Sequence, residues 1–115
     1  MTAEEMKRRT KEFAVNVCRF TQKLPYNPIN KAYTGQIIRS ASSVGANYRA
    51  SRRAKSTADF INKLKIVEEE LDESLFFLEL LEVFNEPHKE EISTLYYEGE
   101  TLLKIIVASI ISSRK

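Results

Sequence analysis

One cysteine, one histidine and no tryptophan occur in the 115-residue chain, with three glycines and three prolines. Each scarcity excludes something. A single Cys18 cannot build an intrachain disulfide framework and fits a reducing compartment. Its expected role is that of a small core hydrophobe. A lone His88 excludes a four-helix di-iron site, which takes a Glu-x-x-His motif on each of two helices. No Cys/His cluster has zinc-ligand spacing. A Ser-His-Asp triad would have to use His88, which the pattern puts on the surface at a helix start. Neither a GxxxxGK[ST] nor a GxGxxG phosphate loop occurs. The acidic run Glu68–Glu73 holds carboxylates enough for an acid/base pair, but no Gly-rich loop or donor set accompanies it. The chain reads as a non-enzyme with no cofactor and no metal.

Long apolar runs are also missing. Leu102–Ile111 contains Lys104 and reaches about half the length of a bilayer-spanning helix. The start, MTAEEMKRRTKEF, mixes acids with bases and fits neither a secretory nor an organellar leader. The expected location is cytoplasmic, with no membrane partner.

What is present points to one folded domain over residues 1–115. The composition, 43% hydrophobic and 30% charged, excludes a disordered tail. Few glycines and prolines argue against a turn-rich all-β protein. Apolar residues recur at helical spacing in four segments. The first runs from Ala3 to Leu24 with Met6, Phe13, Val17, Phe20 and Leu24 on one stripe, and Pro25 and Pro28 end it. The second runs from an Asn30 cap to Ala54, with Tyr33, Ile37, Ala41, Val44 and Tyr48 inward. The third follows a Ser56 or Thr57 cap and reaches Phe84, with Phe60, Leu64, Val67, Leu71, Leu75 and Leu78 inward. The fourth runs from Pro87 to Ser113. Links this short join antiparallel neighbours, so the fold class is all-α, an antiparallel up-down-up-down four-helix bundle. Gly35, Gly45 and Gly99 all fall inside helices. Ala41 and Gly45 are expected to give the second helix a smooth strip for close approach of a neighbour.

Two stretches are apolar nearly all round. Phe76, Phe77, Leu80 and Phe84 cannot all face one core, nor can Ile105, Val107 and Ile111 together with their neighbours. Such surplus marks an interface, so a homo-oligomer is expected.

The net charge of +2 hides an asymmetry. Residues 1–55 carry 12 Lys and Arg against 3 Asp and Glu, a balance of +9; residues 56–115 carry 6 against 13, a balance of −7. Folded up and down, the chain gathers Arg8, Arg9, Lys11, Arg49, Arg52, Arg53 and Lys55 at one end, with Lys7, Arg114 and Lys115. Glu79, Glu82, Glu86, Glu90 and Glu91 gather at the other. Arg39 is expected opposite Asp72. A basic end attracts phosphates by counterion release, without regard to sequence and with strong salt dependence. The same bases also answer helix C-terminal dipoles as ordinary solvated charge. A helix-turn-helix reading of SVGANYRASRRA lacks the short turn it would need, because the helical pattern runs unbroken from Tyr33.

The stretch Gln36–Leu81 resembles a family of small bacterial four-helix proteins first noticed as products of intervening sequences in 23S ribosomal RNA genes. The matching residues are Gln36, Ile37, Arg39, Ser40, Ala41, Ser43, Val44 and Asn47, then Ser56, Asp59, Phe60, Leu64 and Ile66. Arg53 lies one residue nearer the Ser than a strict fit. The usual Glu-Gly after the Asn is replaced by Arg49, Ala50 and Ser51, which makes this helix end more basic. The usual Ala after Ile66 is Val67. The resemblance implies an up-and-down bundle that assembles as a homopentamer. That family is similar to the accessory protein of diversity-generating retroelements, a basic pentamer that partners a reverse transcriptase and binds nucleic acid. The first expectation is therefore an oligomeric scaffold binding structured RNA or other nucleic acid, RNA or DNA, through its basic end. The alternative is a module that partners another protein, such as a reverse transcriptase, with no nucleic-acid role.

Overall fold

A computed structural model describes residues 1–115. Helix α1 spans Ala3–Thr21, α2 Pro28–Ser51, α3 Thr57–Phe84 and α4 Lys89–Ser113, and a 3-10 turn, Glu86–His88, leads into α4. No strand forms. Helix α3 has 28 residues, so it extends about 42 Å at the standard helical rise. The molecule measures 45 × 21 × 20 Å, so its long axis is the helix axis.

Local chemistry sets the helix starts. Thr2, Asn27 and Ser56 are N-caps whose side chains accept from the backbone N–H groups of Glu5, Asn30 and Asp59. Each satisfies a donor that the first helical turn leaves without a partner. The cap of α2 is thus Asn27 rather than Asn30. Pro28, expected only as a stop, instead opens α2, because its fixed φ suits the first helical position. Three further ends move by a few residues. α1 stops at Thr21, α2 stops at Ser51, and Pro87 sits in the 3-10 turn ahead of α4.

Helix α1 packs beside α2 and α4, and α3 beside α2 and α4; the backbones of the diagonal pairs stay farther apart, and their side chains share one core. Every adjacent pair runs antiparallel. Thr10 near the start of α1 meets Gly45 late in α2. Asn30 of α2 meets Asn85 after α3, Leu75 of α3 meets Gly99 of α4, and Lys23 after α1 meets Glu91 of α4.

The expected stripes form the core. Met6, Phe13, Val17, Phe20, Ile37, Ala41, Val44, Tyr48, Leu64, Val67, Leu71, Leu75 and Leu78 are buried, and Leu81, Ile92, Leu95, Leu102, Ile106 and Ile110 complete the cluster. Leu24, Tyr33 and Phe60 pack partly buried at its edge. Burying one such Leu or Ile contributes about 1.5–3 kcal/mol.

Sequence periodicity did not announce the buried polar residues. Between α2 and α3, the Ser40 and Ser74 hydroxyls lie 2.9 Å apart. Nearer the acidic end, the Asn30 and Asn85 amides each donate to the other's Oδ1, at 2.9 and 2.8 Å. Their second amide hydrogens go to the carbonyls of Pro25 and Leu81. No buried side-chain polar atom is left without a partner, so these pairs fix the register of α2 on α3 at little net cost.

The glycine expected to allow close approach is not the tightest one. A Cβ on Gly45 would sit 3.6 Å from Thr10 backbone atoms, an ordinary contact. A Cβ on Gly99 would come within 2.8 Å of Leu75 Cδ2 and 3.4 Å of the Phe13 ring. Gly99 therefore seats α4 against α3 and α1 together.

Candidate nucleic-acid interface

The basic end is built by the way α2 stops. Its last amides turn back on i−3 carbonyls, Arg52 to Arg49, Arg53 to Ala50 and Ala54 to Ser51. This tightening spends the final carbonyls of α2 locally. Asp59 then reaches back from the first turn of α3 and accepts from the Lys55 backbone N–H at 3.0 Å. The turn is thereby fixed from both sides, and Arg49, Arg52, Arg53 and Lys55 are held on its exposed surface. The Arg52 guanidinium lies 5.7 Å from the centroid of the Phe60 ring, a cation–π contact that restrains the side chain while leaving its edge hydrogens free.

Two depressions open at this end. One is lined by Arg52, Lys55, Ser56, Thr57, Phe60 and Ser113, among others, with no carboxylate in its wall. The other lies between α1 and α2 and carries Lys7, Arg49, Arg52 and Arg53, with Glu4 as its single acid. Glu4 is taken up by Lys7 at 3.3 Å.

Not every base predicted for this surface is equally available. Arg9 forms a two-pronged pair with Glu98, Nη2 to Oε1 at 2.6 Å and Nε to Oε2 at 3.2 Å. That hydrogen bond raises the guanidinium pKa above its ordinary value, and the fork is directed to α4 rather than outward. Arg8 pairs with Glu12 at 3.0 Å along the same helix. Lys11 is exposed one turn away, on the groove between α1 and α2. The structure therefore brings together Arg49, Arg52, Arg53 and Lys55, and engages Lys7, Arg8 and Arg9 with acids of the same chain, Glu4, Glu12 and Glu98. Glu98 is 89 positions from Arg9, so a count of bases along the chain does not reveal that pair, whereas Glu12 lies one helical turn from Arg8 and the i,i+4 spacing could have shown it.

The surplus apolar residues divide as well. Phe76, Phe84 and Ile111 are about half exposed. Phe77, Leu80, Ile105 and Val107 are half-buried. Tyr33 stands 6.0 Å from the Phe77 ring and 6.1 Å from Phe84, and Phe76 stands 5.7 Å from Phe77. A surface aromatic cluster thus sits toward the end opposite the bases. Arg39 pairs with Glu70 and Glu73 and not with Asp72. The Ser40–Ser74 contact sets that register, and it leaves Asp72 on the outer face of α3.

No group of three or more His, Cys, Asp or Glu side chains is placed to hold a metal ion. No helix is long and apolar enough to cross a membrane. Residues 4–108 match the family model described as 23S rRNA-intervening sequence protein. The chain belongs to this family. Among solved structures, it is similar to a protein of unknown function from the S23 ribosomal protein family of Bacteroides thetaiotaomicron. The two are 32% identical, the alignment covers 96% of this chain and 98% of that one, and the TM-score is 0.83. None of the curated proteins compared matches the chain. The span matched to the intervening-sequence family takes in α1 and most of α4, beyond the Gln36–Leu81 stretch that carries the motif. The bases from Lys7 to Lys55 lie within it, whereas Arg114 and Lys115 lie outside.

Proposed function

We propose that this chain is a non-enzymatic, self-associating scaffold that binds structured RNA through its basic end. The supporting observation is the cluster Arg49, Arg52, Arg53 and Lys55, held by a fixed turn around depressions with almost no competing carboxylate. Exposed guanidinium groups on a rigid turn suit phosphate oxygens. No aromatic side chain is free among them to stack on a base, since Phe60 lies under Arg52 and Tyr48 is buried. Binding of this kind reads backbone shape and charge, not sequence. Association between copies, as in the ring the resemblance implies, would place several basic ends side by side and strengthen the field.

Fluorescence anisotropy of a labelled ribosomal RNA hairpin, with nuclease-treated protein at low and moderate salt, tests the reading. Tight binding that collapses with salt is expected. The triple variant Arg49→Ala, Arg52→Ala, Arg53→Ala should lower the slope of log affinity against log salt by about 1 for each phosphate it no longer engages. A folded triple variant with unchanged affinity would remove this site. Absence of binding by the wild type at low salt would remove the nucleic-acid role. It would leave the partner-protein reading, for which the aromatic cluster at Tyr33, Phe76 and Phe84 is the candidate surface.

A further inference from the structure

The cations that build the basic end have no carboxylate partner in the chain. Arg49, Arg52, Arg53 and Lys55 form no ion pair, whereas Lys7, Arg8, Arg9, Lys23 and Arg39 each bond an acid. No Asp or Glu occurs anywhere from Phe13 to Ala58, so α2 and its turn supply none. The nearest acid along the chain, Asp59, is turned back to the Lys55 backbone N–H.

These cations divide between the two depressions. Arg52 lines both, Lys55 only the one at the α2–α3 turn, and Arg49 and Arg53 only the one between α1 and α2. The two also differ in neutral donors. The wall at the turn carries the hydroxyls of Ser51, Ser56, Thr57 and Ser113, whereas the wall between α1 and α2 carries none. Ser51 and Ser113 spend their hydrogens on the carbonyls of Tyr48 and Ser109. Ser56 accepts from the Asp59 N–H at 3.1 Å, which leaves its own hydrogen free. Thr57 is exposed, and its hydroxyl is uncommitted as well.

The turn depression thus offers a guanidinium, an ammonium and two free hydroxyls. An internal phosphodiester has a single charge and two unesterified oxygens, fewer than this set can engage. A terminal phosphomonoester carries about −1.5 to −2 at neutral pH and has three strong acceptor oxygens. The Arg52 fork suits two of those oxygens, and Lys55 with the hydroxyls suits the third. We propose that the turn depression receives the terminal phosphate of an RNA strand, and that the depression between α1 and α2 takes the phosphates next to it. Arg52 borders both, so the positive surface is continuous from one to the other. This inference rests on the RNA reading above and names the part of the RNA that the site selects.

The test uses an RNA hairpin labelled in its loop, so that both strand ends are free. It is made with a 5′-phosphate, with a 3′-phosphate, or with hydroxyls at both ends. Anisotropy at one moderate salt concentration should find a phosphorylated form bound about tenfold more tightly than the hydroxyl form, the scale of hydrogen bonds to a charged group. Lys55→Gln should remove most of that preference. Arg53→Gln, in the other depression, should weaken the phosphorylated and hydroxyl forms alike and keep their ratio. Both positions are exposed, and thermal melts by circular dichroism check that each variant folds. A wild type that binds all three RNAs equally would overturn the proposal and leave the RNA reading standing. A Lys55→Gln variant that keeps the full ratio would also overturn it, as would an Arg53→Gln variant that loses it. Binding to none of the three at low salt would remove the RNA reading itself, and this inference with it.

Discussion

Helices α3 and α1 occupy equivalent places in the bundle, each between two neighbours, yet they are held by different forces. Helix α3 has the most extensive packing in the molecule, against α2 and then α4, and α1 meets α4 along the thinnest seam. The α2–α3 seam is closed by buried hydrocarbon and two satisfied polar pairs, Ser40–Ser74 and Asn30–Asn85, with the Arg39 pairs to Glu70 and Glu73 only at its surface. The α1–α4 seam is bridged near the surface by Arg9–Glu98 and Lys23–Glu91 and by the edge of His88 against Phe20. Equal position does not imply equal attachment. Dry contacts keep their worth when salt or pH changes, and exposed ion pairs do not. Local opening is accordingly expected to start at α1.

The sharpest way to break this contrast is at the buried amide pair. Asn85→Leu leaves the Asn30 amide without its partner and should cost about 2–3 kcal/mol in urea unfolding. The double replacement Asn30→Leu, Asn85→Leu should recover much of that loss, because no polar group then remains unpaired. A single variant as stable as the wild type would show that the pair does not hold the seam. A smaller effect separates two glycines. Gly99→Ala pushes a methyl into Leu75 and the Phe13 ring and should destabilise by about 1 kcal/mol. Gly45→Ala, on an α1 seam with room for it, should stabilise by up to about 1 kcal/mol through helix propensity alone. Opposite signs in thermal melts are the result that supports the contrast.

The smallest effects lie on the α1–α4 seam. Arg9→Ala should cost no more than about 1 kcal/mol, with the loss shrinking as salt rises. The hydrogen bond from Lys23 holds the Glu91 carboxyl below its ordinary pKa. A folded-state value below the unfolded one means the pair helps above the usual carboxylate range. That help is lost as pH falls through the depressed value. Lys23→Met should therefore raise the Glu91 pKa in an NMR titration, and its stability gap to the wild type should close on acidification.

Much of this was legible in the sequence. Period and breaker residues located four helices, because long amphipathic stripes with short polar links admit few other folds. The motif from Gln36 to Leu81 pointed to the family that the match over residues 4–108 then showed. The buried serines and asparagines were not legible. Ser40, Ser74 and Asn85 are short polar residues whose burial depends on a partner more than thirty positions away, and periodicity carries no such information. The engagement of Arg9 with Glu98 was hidden for the same reason. At the basic end, charge along the chain located Arg49 to Lys55. Only the folded turn, with Asp59 reaching back to Lys55 and Phe60 lying under Arg52, distinguishes a fixed surface from a loose run of bases.

The absence of any acid from Phe13 to Ala58 has a consequence for how the molecule behaves in bulk. A small net charge would suggest a weakly interacting solute, but positive and negative charge are segregated into two layers, α1 with α2 and α3 with α4. That makes the protein a strong permanent dipole. At neutral pH and low ionic strength it should adhere to both cation and anion exchangers, each matrix capturing the layer of opposite sign, and salt should release it from either.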